Sequence, residues 1–145
     1  MEVVHPKDLD HRILAESLLE EQPLLGEKIA MAVYSGEQQA AEHLTEVLRF
    51  LHLTVWSGKT LTPPLPIDLA WHEFILFTRA YLNFCERVFG RIVHHQPGGS
   101  EKENQSQLRQ TLKLYQLCFG PPPVACWGDQ GYLGTGAECG ACETE

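Results

Sequence analysis

A chain of 145 residues with 43% hydrophobic content is long enough for one domain with a real core. A formal net charge of -8, with eleven scattered Lys and Arg and no run of even three, argues against nucleic acid or an anionic membrane as partner. No stretch approaches the roughly 18–20 apolar residues of a membrane span. The start MEVVHPKDLDHR lacks the basic and apolar regions of a signal peptide, so a cytoplasmic location is expected, with the five cysteines free, buried or metal-bound.

The elements predicted in chain order are helical. Asp8 can cap a first helix in which Leu9, Ile13 (or Leu14) and Leu18 recur on one side. Pro23 suits the first turn of a second, with Leu24, Leu25, Ile29 and Val33 inward and Gly36 as its end. A third runs from about Glu37 to Val55 on a stripe of Ala40, Leu44, Val47, Leu48 and Leu51, and leaves Glu42, Glu46 and Arg49 to solvent. Three prolines in four positions make Ser57 to Pro66 a loop. Asp68 then caps a central helix over about 68–89, stopped at Gly90. Residues 100–107 read as polar linker into a last helix carrying Leu108, Leu112, Tyr115 and Phe119 (or Leu117), ended by Gly120 and Pro121–Pro123. The expected fold is all-α, a compact bundle of about five helices around the central one. Residues 1–123 form the helical domain, and 124–145 an irregular tail containing Gly and Cys, flexible or ordered by metal.

The central helix is apolar nearly all round, through Leu69, Phe74, Phe77, Tyr81, Leu82, Cys85, Val88 and Phe89, and so is expected to be buried. At ~100° per residue Asp68, His72, Arg79 and Glu86 share one sector, with Asn83 nearby. His72 can bond to Asp68 one turn back, as a satisfied core imidazole, a metal ligand or a general base. Arg79 and Glu86 fit structural pairs with other helices or water. Cys85 lies about 220° around and ~20 Å along from His72, too far for one ion, and reads as a packed core thiol.

His94 and His95 follow Gly90 closely enough to turn back near Cys85. His72 is ~27 Å of continuous helix from Gly90. The pair can therefore meet His72 only through a broken helix, a shorter helix or a second subunit. In the tail, Cys126, Cys139 and Cys142 contain one Cys-x2-Cys knuckle; His94 or His95 could complete a Cys3His zinc site. A disordered terminus would look the same. His5, His11, His43, His52 and Cys118 read as surface or core residues. His72-Glu73 begins an HExxH, but Leu76 stands where the second ligand belongs.

The run IDLAWHEFILFTRAYLNFCERVFGRIVHHQP, preceded by LTPP and followed by YQLCFGP (115–121), resembles the small bacterial proteins of the glycine-rich domain-containing protein-like family. Its D-x-x-W-H core also resembles a plant group of that name. The likeness covers about residues 40–128 and places the motif at Asp68, Trp71, His72, Cys85, Gly90, His94, His95 and Pro97. The family's tail is richer in glycine than this one, and the resemblance implies no particular activity.

Three functions follow. The first is a metal-binding helical protein, with His72, Cys85, His94, His95, Cys126, Cys139 and Cys142 as candidate ligands. Zinc comes first there; copper also suits thiolate and imidazole, and iron would suit Asp68, His72 and Glu86. The second is a small enzyme with His72 as general base, oriented by Asp68, walled by Trp71 and covered by an LTPPLP lid. The third is an interaction module, with a protein partner or a second copy of the chain docking at a surface that includes Trp56 or Trp127.

Overall fold

Leu44, Val47, Leu48, Leu51 and Leu53 are wholly shielded from water, and each contributes ~1.5–3 kcal/mol by that burial. They lie on α3 (Ala40–Ser57), and the fold is built around this helix. The computed structural model describes residues 2–96 and 98–128. Against α3 pack α1 (His11–Glu21), α2 (Pro23–Ala32), α4 (Leu65–Leu76), α6 (Glu101–Phe119) and the short α7 (Val124–Trp127). After α4 the chain continues as α5 (Thr78–Phe84) and a π-helical turn, Cys85–Phe89. The fold is all-α, and no strand forms among the described residues. Among the described residues seven α-helices stand where five were expected, because the central helix divides and the chain after Pro123 adds another turn.

The helix expected at the centre is only half buried. Ile67, Ala70, Trp71, Phe74, Tyr81, Phe84, Cys85 and Phe89 face the core, whereas His72, Arg79, Asn83 and Glu86 are exposed. Its apolar character all round arises because Leu76 and Leu82 also face water, at 61% and 42% exposure. Apart from Asp68, which is buried, the polar stripe is therefore a solvated face rather than a buried network. The helix also starts earlier than Asp68: Pro66 sits in the first turn of α4, where no N–H partner is needed. Asp68 thus lies inside that turn, its own N–H on the Pro64 carbonyl at 3.0 Å, and is not the cap. At the far end Gly90 takes φ +76°, a left-handed conformation that favours glycine.

Other ends move by a few residues for similar reasons. Asp10, not Asp8, caps α1 by accepting the Ile13 N–H at 3.1 Å. Ser100 and Glu103 form a capping box, so α6 begins at Glu101 and absorbs the expected linker. Cys126 and Trp127 are fully buried, which extends the packed domain past residue 123.

Glu46, expected on a solvated face, is a buried carboxylate, at 2% exposure. Its Oε1 accepts the Tyr115 hydroxyl at 2.5 Å and the Trp127 indole N–H at 2.8 Å; its Oε2 pairs with Arg49 at 3.2 Å. One anion thereby ties α3 to α6 and α7, and the three donors offset its desolvation. A second buried polar pair joins α1 to α3. His52 Nε2–H donates to the Val4 carbonyl at 2.7 Å, so its Nδ1 accepts from His11 Nε2–H at 2.9 Å. Burial, then the neighbouring His52 and Arg49, pulls the His11 pKa down to about 3.

Candidate functional site

The break between α4 and α5 builds the site. At Phe77 the backbone leaves the helical region (φ -86°, ψ 67°), and its N–H bonds to Phe74 instead of continuing the ladder. Ten residues apart in a continuous helix, Trp71 and Tyr81 would stand ~15 Å apart along the axis. Across the break they meet, the Trp71 indole N–H donating to the Tyr81 hydroxyl at 3.0 Å. That hydroxyl donates in turn to the Val93 carbonyl. The Cys85 thiol lies beside Val93 and Tyr81, its pKa pushed up by burial.

Anchored at Val93, the following residues run back along α4. His95 reaches Asp68, with Nε2 to Oδ1 at 2.8 Å, and its ring lies 4.3 Å from that of Trp71. Asp68 is buried at 8% exposure, and its place in the first turn of α4 suits a carboxylate. The imidazole beside Asp68 is therefore His95, not His72. His72 is exposed, its ring centre 6.1 Å from that of His95. Of the three ways in which His72 and His95 could meet, a broken helix, a shorter helix or a second subunit, the chain uses the first, and the break is at Phe77.

Asp68 and Trp71 form part of the floor of a cleft of about 630 Å³. Phe50 and Val55 from α3 supply one wall, and the rim comes from the loop after Gly58 and from Arg91, Ile92, Val93, His94, Gln96, Gly98 and Gly99, with His95 just behind it against Asp68. Lys59, Arg91 and His94 stand on that rim. Arg91 donates to the Val55 carbonyl at 3.0 Å, near the C-terminal end of α3, where a cation is favoured. The LTPPLP segment is no lid. Leu61, Thr62, Pro63 and Pro64 are buried, and Thr62 is fastened to α6 by the Thr111 hydroxyl at 3.0 and 3.2 Å and by Gln107 at 2.7 Å.

The candidate metal ligands are mostly kept apart. Cys85 and Cys126 are both fully buried, and burial pushes the Cys126 thiol up to about 12, with Glu42 and Glu46 adding to the effect. Cys126 lies against the Glu42–Glu46 part of α3, whereas the cleft lies by Thr54, ~12 Å further along the helix. Among the described residues Cys126 is therefore not brought together with His94 or His95. Cys139 and Cys142 fall outside the described residues, as does Pro97. Among the described residues, no group of three His, Cys, Asp or Glu side chains converges as a metal site requires. Neither tryptophan considered for docking is free: Trp127 is fully buried, and Trp56 is half-buried against His5.

Two parts of the site had no sequence signal. Tyr81 reads as a core aromatic until the break turns it toward Trp71, and Lys59 and Arg91 reach the same rim from loops 32 residues apart. Among the described residues no helix is long and apolar enough to cross a membrane. The chain matches no curated protein and no solved structure. A family model described as UCP032817-like matches residues 15–118, the span from α1 through α6 that holds the Asp68–His95 pair and the cleft; the chain belongs to the UCP032817-like family.

Proposed function

We propose that the chain binds a small molecule in the cleft and acts on it through His95, held by Asp68, as a proton-transfer group. The observation that carries this reading is the 2.8 Å bond from His95 Nε2 to Asp68 Oδ1 beside a cleft walled by Trp71. An Nε2–H donated to a carboxylate puts the lone pair on Nδ1, and such a partner steadies the imidazolium formed when that nitrogen takes a proton. The role expected of His72 passes to His95, and Asp68 keeps its orienting part. The cleft's volume also lies within the ~300–1,000 Å³ usual for small-ligand sites.

Zinc binding is the second reading, supported by the closeness of the His72 and His95 rings. It needs further ligands, for which Cys139 and Cys142 remain candidates. The likeness to the glycine-rich domain-containing protein-like family fits either reading, because Asp68, Trp71 and His95 are three of its motif positions and they touch one another, Asp68 and Trp71 lining the cleft. One experiment separates the two. A small-molecule library is screened against purified full-length protein by the Trp71 indole N–H resonance, alongside elemental analysis. The proton-transfer reading expects hits that His95→Gln and Asp68→Ala abolish and His72→Ala leaves intact. Stoichiometric zinc lost equally in His72→Ala and His95→Gln would favour the second reading. A library that never perturbs Trp71 would refute the first.

A further inference from the structure

We infer that the molecule the cleft takes is a small organic anion, its carboxylate or phosphoryl group held by Arg91 and Lys59 at the rim. This rests on the proposed binding role of the cleft and specifies its ligand. The chain as a whole is acidic, with a net charge of -8, yet the rim carries Lys59 and Arg91 together. The two carboxylates lining the cleft are already engaged: Asp68 by His95 at 2.8 Å, and Glu103 by the Ser100 cap, whose hydroxyl lies 3.2 Å away. Arg91 gives one N–H to the Val55 carbonyl, which fixes the guanidinium at the lip. A guanidinium has five such donors in a planar fork matched to carboxylate and phosphate oxygens.

The rest of the cleft selects against the alternatives. A cationic ligand would face Lys59 and Arg91. It would gain little from Trp71, since Phe50 packs against that ring at 5.5 Å and His95 at 4.3 Å. Phe50 and Trp71 offer an apolar wall to a short hydrocarbon body, while the charged head stays at the rim. Bound this way, the body of the ligand extends from Arg91 toward Asp68 and His95.

The test is an NMR titration of the full chain with butyrate, butyramide, butylamine and inorganic phosphate, following the Trp71 indole and Arg91 side-chain resonances. Butyrate is expected to shift both at about 10 mM and to bind about tenfold more tightly than the amide or the amine. A response to phosphate alone would assign a phosphoryl group; a response to butyrate alone, a carboxylate. The Lys59→Gln/Arg91→Gln variant should weaken the anion about tenfold. Glutamine keeps a donor for the Val55 carbonyl, and both positions are exposed, so the fold is retained. Equal binding of amide or amine, an unchanged affinity in that variant, or silence from all four probes would overturn the inference. Neutral or cationic probes that bind and are lost in His95→Gln would sink the anion assignment and leave the proton-transfer reading standing. Anion binding indifferent to His95→Gln would do the reverse.

Discussion

Acid should loosen this fold through one identifiable pair, His11 and His52. The His52 bond to the Val4 carbonyl fixes both rings in neutral tautomers, and burial opposes charging either of them. The unfolded chain titrates His11 at 6.5, the folded chain at about 3. A depressed folded pKa means that the unfolded state takes up the proton first as pH falls. The stabilisation is therefore complete above about pH 6.5 and is lost progressively down to about pH 3. Between about pH 7.5 and about pH 5 the unfolded state gains some 1.5 pH units of protonation at this site, or ~2 kcal/mol. His52, also depressed by burial, acts in the same direction. The perturbation is His11→Gln, whose amide N–H can still donate to His52 Nδ1 but does not titrate. Urea unfolding of both proteins at the two pH values gives the answer as a difference of differences. The wild type should lose ~2 kcal/mol more than the variant over that interval. Equal losses, or a His11 imidazole resonance that titrates near 6.5 in the folded protein, would refute the reasoning.

Removing the buried anion in Glu46→Ala takes the acceptor from the Tyr115 hydroxyl and the Trp127 N–H and leaves Arg49 with the Tyr115 oxygen alone, and should cost ~3–5 kcal/mol in urea unfolding; a loss below ~1 kcal/mol would contradict the hub. Tyr81→Phe leaves the Trp71 N–H and the Val93 carbonyl without their shared partner. It should cost ~1–3 kcal/mol and speed amide exchange in residues 91–96 more than in α3, whereas uniform exchange would deny Tyr81 its anchoring part. Tyr34 is 95% exposed with φ +56°, so Tyr34→Gly removes strain without removing contacts and should raise stability by ~1 kcal/mol, read as a higher Tm.

Local rules were legible in the sequence where the chain obeys them alone. Pro23, Gly90 and Gly120 mark real helix ends, and the all-α architecture follows from periodicity, whereas the Ser100–Glu103 capping box was passed over as linker. Burial was harder to read, because periodicity reports only a contrast between faces: the helix from Leu65 has little, and the clear contrast along α3 does not say that its polar face is covered as well. The 65–89 stretch shows apolar residues all round because Leu76 and Leu82 are exposed, and α3 hides Glu46 and His52 because helices cover it on several sides. The break at Phe77 has no glycine or proline to announce it; the contacts from Tyr81 to Trp71 and Val93 span it, and those are tertiary. Helical geometry nevertheless named the right condition among three, since a broken helix, a shorter helix or a second subunit could each have brought His95 to His72, and the chain takes the first. Which carboxylate–histidine pair results then depended on the path of residues 91–96, and that path is fixed at Val93 by a tyrosine hydroxyl.

The central claim is that Asp68 orients His95, and the ring nitrogens of His95 report on it directly. A long-range proton–nitrogen NMR spectrum of the full chain near neutral pH should show the His95 proton on Nε2 and the lone pair on Nδ1. In Asp68→Ala that single tautomer should give way to an averaged, mobile ring, while Asp68→Asn, whose amide oxygen still accepts, should preserve it. A proton resident on Nδ1 with Nε2 bare, or a His95 spectrum unchanged in Asp68→Ala, would contradict the account.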